Sequence, residues 1–527
     1  MGPMTESRAR VATLAAVAVI ALAGLAGCGG SSSPGSSSSE PDPATVVPAT
    51  APLYVGVTAH PGGALGRQAF AAAQHIAGSA TPFASVESMI TALAGPTVVY
   101  SRDVAPWVGK RVGAYFLNMP RGLSLHGGSG ALIADVADHG KAESAMSRLT
   151  SASGARSANY RGVSLELTPT GVEFGFVGPL LVVGSTDAVH RVIDTHAGGP
   201  ALTTVASFTQ ARGAAAPDTV AELHAGSAPF VAAVPSSGEA GSLLTLARSV
   251  FAAGSISAVD ATLAIPSAAT AALQARVTGG GAAPGPGPTA AQVFDQLPGD
   301  SWLALGTGAL GPSLERLLAA VPSDSSLGNS LPARALGLLR RLDGGSRHLL
   351  RWAGPTGVFA AGDGLLDLTA GVVIHTRDDA AARAAVAPLA ASLASGATPS
   401  ALSVPGADTA VSVPLKGLPV SIDVVHVPGE VVIGLGSASV RTALHPSSTL
   451  GGSSIGQAAV RTLGAGVAPS LLVDFPTLLS VIDSVNQLTG SPIFGTLPGF
   501  TASLSDVVAG TASSGASRTV RVVLTLQ

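Results

Sequence analysis

Between Val163 and Val183 apolar and polar residues alternate in short runs separated by turns. Val163, Leu165 and Leu167 point one way, with Ser164 and Glu166 between them. Pro169-Thr170-Gly171 breaks the run, Val172, Phe174 and Phe176 resume it, and Gly178-Pro179 turns the chain into Leu180–Val183. A period of two with Gly/Pro punctuation predicts a β-meander. From Thr186 to His196 the spacing becomes helical, with Ser185 or Thr186 placed to cap the helix and Gly198-Gly199 to end it. Ala137 to Ser151 predicts another helix, leading into the meander. The pattern returns from Val411 to Ile433, with turns at Gly417 and Pro428-Gly429, and Val520, Val522, Leu524 and Leu526 alternate in a final strand. Meanders flanked by helices predict an α+β fold of antiparallel sheets covered on one face.

A Gly/Pro tract, residues 279–288, divides the region into segments 44–278 and 289–527 that resemble one another. Leu53-Tyr54-Val55-Gly56 corresponds to Leu303-Ala304-Leu305-Gly306. Trp107-Val108-Gly109 corresponds to Trp352-Ala353-Gly354, which pairs two of the three tryptophans. Asp138, Ala142, Ala145 and Leu149 correspond without a gap to Asp378, Ala382, Ala385 and Leu389. Gly184-Ser185 and Val189 answer to Gly436-Ser437 and Val440, and Arg276-Val277 to Arg521-Val522. Matches kept in this order predict two similar α+β halves, each an antiparallel meander sheet with flanking helices.

The N-terminus has a different character. Arg8 and Arg10 precede an apolar stretch from Val11 to Leu22, and Leu25-Ala26-Gly27-Cys28 follows. A positive region, a short apolar core and small residues make residues 1–27 a signal peptide. Leu25, Ala26, Gly27 and Cys28 resemble the lipobox of bacterial lipoproteins. That resemblance implies cleavage before Cys28, a diacylglyceryl group on its thiol, and an address on the outer face of the cell membrane. Cys28 is the sole cysteine, so no intramolecular disulfide can form. Residues 28–43 are rich in Gly, Ser and Pro and are expected to be a disordered tether.

Charged residues make up 11% of the chain and hydrophobic ones 46%, yet no apolar run beyond the N-terminus approaches the roughly 20 residues of a membrane helix. A net charge of −3 with no basic stripe argues against nucleic acid as a partner. In the densest basic stretch, Arg334 to Arg351, Arg alternates with Leu at helical spacing, as on a solvated helix face; contact with anionic headgroups is the alternative.

Pro48 to Val57, the Pro106–Phe116 stretch PWVGKRVGAYF and the Gly184-Ser185 turn before a helix together resemble the actinobacterial exported lipoproteins of the domain of unknown function 3352 family. The resemblance covers most of residues 45–527. It implies an address and a fold, but no reaction and no catalytic residues.

Patterns that suggest chemistry lack the context that chemistry needs. Gly306 to Gly311 fits GxGxxG, but the next acid, Asp324, lies in a Ser-rich stretch and not at the end of a second strand, so no dinucleotide cofactor is expected. Gly452 to Gly456 fits GxSxG around Ser454, with His445 and Asp474 as conceivable partners, but a Ser/Thr/Gly loop precedes it where an elbow needs a strand. The eleven histidines form no HxH or HExxH pair, and His190 and His196 are poorly spaced to share a metal. Asp378-Asp379, and Asp363 with Asp367, are placed to cap backbone amides. Trp107 and Trp352 read as core anchors, with ligand contact as the other possibility. The expected function is therefore non-catalytic: a membrane-anchored lipoprotein that binds an envelope protein or an apolar ligand such as lipid. The alternative is a hydrolase acting on wall or lipid material.

Overall fold

The computed structural model describes residues 41–77, 100–118, 129–234, 256–279, 288–308, 349–364, 367–394, 397–415, 420–489, 499–515 and 517–527. Residues 1–40 lie outside this set, and with them the signal peptide, Leu25, Ala26, Gly27 and Cys28. So do most of the 279–288 tract, residues 309–348 with Asp324, and Gly417. The chain divides into two units. One comprises Met1–Gly280 with Pro498–Ser503 and Leu526–Gln527, and the other Gly281–Leu497 with Leu504–Thr525.

The first unit is α+β. Its strands are β1 (Leu53–Thr58), β2 (Val108–Asn118), β3 (Ser129–Val136), β4 (Arg156–Tyr160), β5 (Val163–Leu167), β6 (Val172–Val177), β7 (Leu180–Ser185), β8 (Thr219–Gly226), β9 (Ala258–Ser267) and β10 (Thr270–Thr278). Among the described residues they form one antiparallel sheet in the order β4-β5-β6-β7-β3-β2-β1-β8-β9-β10. The strands of the meander fall where alternation places them, but the faces of β6 do not follow it: Val172 is exposed while Glu173, expected on the polar face, is buried. Gly178 turns the β6–β7 hairpin at φ 58°, where a side chain would be strained. Strand β7 continues two residues beyond Val183, because Gly184 still pairs with Ala131.

The helices of this unit are α1 (Gly63–Ala77), α2 (His139–Ser153), α3 (Thr186–His196), α4 (Ala206–Gly213) and α5 (Ser227–Ala233). Helix α3 has the predicted limits, and it buries Ala188, Val189, Val192 and Ile193, an i, i+1, i+4, i+5 stripe. That stripe packs with Val46, Val47, Tyr54, Tyr115, Ile133, Leu165, Val182, Leu202 and Phe208 into the unit's core. Burying each such aliphatic side chain contributes about 1.5–3 kcal/mol. Helix α2 starts two residues later than its spacing suggests. Asp138 takes the N-cap and accepts a bond from the Lys141 amide, and Gly154, at φ 66°, ends the helix.

The disordered tether expected over residues 28–43 ends too late. Asp42 caps a 3-10 turn, Pro43–Thr45, and Pro43 and Ala44 are buried. Composition around Asp42 favours disorder, but two arginines from the sheet and helix α4 hold its carboxylate in place.

The second unit contains β11 (Ser301–Thr307), β12 (Ala353–Ala361), β13 (Thr369–Thr376), β14 (Ser400–Ala401), β15 (Thr409–Pro414), β16 (Ser421–Val427), β17 (Glu430–Leu435), β18 (Ala468–Asp474), β19 (Leu504–Ser514) and β20 (Ser517–Leu526). These pair in the order β14-β15-β16-β17-β13-β12-β11-β18-β19-β20. Its longer helices are α6 (Ala290–Gln296), α7 (Asp379–Leu393), α8 (Gly436–Leu444), α9 (Ser454–Leu463) and α10 (Phe475–Thr489), and a single helical turn, Leu349–Trp352, precedes β12. Trp352 sits in a core of small residues, against Ile374, Ala382, Ala385, Val386, Leu389, Val413, Val424 and Val431. Among the described residues no helix is long and apolar enough to cross a membrane.

Candidate functional site

Trp107 and the first turns of α2 border an open cleft of about 330 Å³ in the first unit. A π-helical turn, Tyr100–Val104, brings Arg102 and Asp103 to one wall. Lys141, Ser144, Ala145 and Arg148 form the other, because i, i+3, i+4 and i+7 share a helix face. Trp107 is 5% exposed, and its Nε1–H donates to the Asp103 carbonyl at 2.5 Å. The indole is therefore a fixed floor to the cleft.

Asp103 accepts from Arg102 Nε at 2.9 Å and Nη2 at 2.7 Å, with Arg148 Nη2 at 3.4 Å. The Asp103 side chain is 9% exposed while Arg102 and Arg148 are 66% and 62% exposed. The buried carboxylate thus orients guanidinium groups that reach solvent. Its hydrogen bond to Asp103 holds the Arg102 guanidinium above its ordinary pKa. Lys141 Nζ lies 3.0 Å from Asp138 Oδ2. The Lys141 amide, followed by its ammonium, holds the Asp138 carboxyl below the usual carboxylate range. Three cations and two carboxylates line the cleft, so it carries a net positive charge and suits an anion more than an apolar molecule.

A buried polar chain lies elsewhere in the same unit. Arg212 joins Asp42 at 2.6 Å to Glu222 at 2.9 Å, and Arg111 reaches Asp42 at 3.1 Å. The Tyr54 hydroxyl points at Glu222 from 3.5 Å. Burial pushes the Glu222 carboxyl up against the pull of Arg212, and pushes the Tyr54 phenol well above its usual range. Phe208 stands edge-on to both Tyr54 and His224, beneath the Arg212 guanidinium. His224 Nδ1 meets Asp260 Oδ1 at 2.6 Å, with the two side chains 3% and 1% exposed. The sequence reading missed this chain. Its signal is present: Glu222 and His224 interrupt an otherwise apolar strand, Thr219–Gly226.

In the second unit the His426 side chain is fully buried. Its Nε2 lies 3.2 Å from Asp379 Oδ1 and its Nδ1 3.5 Å from Asp408 Oδ2. The Gly429 amide, then His426, keeps the Asp379 carboxyl below its ordinary range. Asp378 caps α7 through the Ala381 amide, and Asp367 accepts from the amides of Asp363 and Gly364. Trp352 is 1% exposed and touches core residues.

Ser454 is the first residue of α9 and follows a 3-10 turn, Leu450–Gly452; no strand leads into it. A Cβ at Gly456 would collide with the Leu450 carbonyl, so tight packing accounts for that glycine. His445 ends α8, and the Asp474 carboxylate accepts from the Thr477 amide. His190 lies 3.3 Å from Glu173 and stacks on Tyr160. Among the described residues no three His, Cys, Asp or Glu side chains are grouped to hold a metal.

The family described as Protein of unknown function (DUF3352) matches residues 11–391. That is most of the chain, and the chain belongs to this family. No curated protein matches it. Two solved structures, crystal forms I and III of TP0453, align at 10% and 12% identity over 46% of this chain and 80% and 81% of theirs. Their TM-scores are both 0.26, too low to carry any argument about fold or function.

Proposed function

We propose that this member of the DUF3352 family is an exported lipoprotein, fastened to the outer face of the cell membrane through a lipid on Cys28, whose body binds a partner without catalysing a reaction. One observation carries the address. The sole cysteine stands directly after Leu25-Ala26-Gly27, behind a basic and then an apolar segment. Two or three acyl chains there make release from the bilayer very slow. Cys28→Ser tests this in the native host. The wild-type protein is expected in the membrane fraction, and the variant in the soluble fraction or retained as precursor. Wild-type protein that washes off membranes in buffer overturns the anchor.

We further read the body as an internal duplication. Strand orders β4-β5-β6-β7-β3-β2-β1-β8-β9-β10 and β14-β15-β16-β17-β13-β12-β11-β18-β19-β20 support it, since each follows one winding scheme. So do local details. The Trp107 carbonyl accepts from the Ala137 amide and the Trp352 carbonyl from the Arg377 amide, both at 2.8 Å. Asp138 and Asp378 cap their helices at nearly the same φ and ψ, −138° and 99° against −134° and 98°. Isolated bridges join Pro48 to Ala201 and Pro298 to Thr449. The binding reading rests on the cleft at Trp107, whose charged walls favour a polar, anionic partner over the apolar ligand considered from the sequence.

A further inference from the structure

The geometry points to the Trp107 cleft as a binding site for a phosphate ester, gripped by Lys141 and Arg148 with Arg102 beside them. This deepens the binding reading above and is independent of whether Cys28 carries a lipid. About 330 Å³ is at the small end of the range for ligand pockets, enough for a phosphoryl group with a glycerol- or sugar-sized substituent. A guanidinium offers five N–H donors in a planar fork, so pairing with Asp103 leaves Arg148 able to meet an oxyanion. Asp103, nearly buried, draws one edge of that fork towards the cleft at 3.4 Å and leaves the rest of it in solvent.

Helix α7, read as the counterpart of α2, separates what the fold needs from what the cleft adds. It keeps the capping aspartate, Asp378, and the buried alanines, Ala382 and Ala385. Where α2 has Lys141, Ser144 and Arg148, α7 has Ala381, Ala384 and Pro388. A helix in this position therefore forms without the cations. In the first unit Lys141 and Arg148 pair with Asp138 and Asp103 and line the open cleft.

The test uses the full mature chain carrying Cys28→Ser, so that vesicle binding reports the folded body and not the anchor. Calorimetric titration with inorganic phosphate and with glycerol phosphate forms one arm. Sedimentation with phosphatidylcholine vesicles, with and without phosphatidylglycerol, forms the other. Saturable binding in the first arm only assigns a soluble ester; binding in the phosphatidylglycerol arm assigns a lipid headgroup. In whichever arm binds, Lys141→Ala and Arg148→Ala are each expected to weaken affinity about tenfold, the loss of one charge-assisted hydrogen bond. Added salt is expected to weaken it further, and Arg383→Ala on the exposed face of α7 to leave it unchanged. No saturable binding in either arm, or equal affinity in both cleft variants and the parent, overturns the assignment. Circular dichroism of each variant separates loss of the site from loss of the fold.

Discussion

Arg212→Ala is expected to destabilise the first unit by about 3 kcal/mol, at the low end of the range for removing one partner from a buried ion pair. Arg212 faces Asp42 and Glu222 at once and lies over the Phe208 ring. Its side chain is 23% exposed and that of Glu222 13%, so some screening survives and the upper end of the range is not reached. Without the guanidinium, Glu222 keeps its burial and loses the main influence that favours its charged form. The deficit therefore has a sign in pH. A buried carboxyl whose pKa is raised destabilises the fold where it is ionised, and this cost disappears once it is protonated. The variant is expected to recover part of its lost stability as pH falls towards the ordinary carboxylate range, and Arg212→Ala/Glu222→Gln to recover much of it at neutral pH. Hydrogen exchange of β1 and β8 against pH measures both. An unchanged exchange rate in Arg212→Ala contradicts the network's structural role.

Trp352→Ala is expected to cost the second unit about 3–5 kcal/mol, the range for truncating a buried aromatic. Trp352 is 1% exposed, and the core cluster it belongs to is rich in alanine, Ala382, Ala385 and Ala390 among them. Side chains that small cannot swing into the vacated volume, so the cavity persists and the cost is at the upper end. Trp107→Ala should cost less, about 2–3 kcal/mol, because the hole it leaves opens into the cleft and can fill with water. Exchange protection of β13 and β16 reads the first effect, and that of β3 the second. Equal losses would mean that Trp107 is as enclosed as Trp352, contrary to its place at the cleft.

These two tryptophans also show what the sequence discloses. Their buried positions follow from large apolar rings set one residue before strand-like runs, and the meanders follow from alternation broken at Gly178-Pro179 and Pro428-Gly429. Helix α3 was legible to the residue because stripe and glycine stop agree, although Ser185, at the N-cap position, turns its hydroxyl to Ser129 and makes no capping bond. Local signals of that kind survive in any chain. The Asp42 clamp was not legible, since its partner Arg212 lies 170 positions away and its neighbours read as tether. His224 and Asp260 face each other only through the β8–β9 register. The cleft was invisible for a similar reason: Lys141 and Arg148 look like an ordinary solvated helix face until the Arg102-Asp103 turn closes over them.

The address remains the claim on which the proposed role stands, and the mass of the native mature protein tests it most directly. The account predicts an N-terminal peptide that begins at Cys28 and carries a diacylglyceryl group on its thiol. A mature protein with a free Cys28 thiol, or one still beginning at Met1, would contradict it.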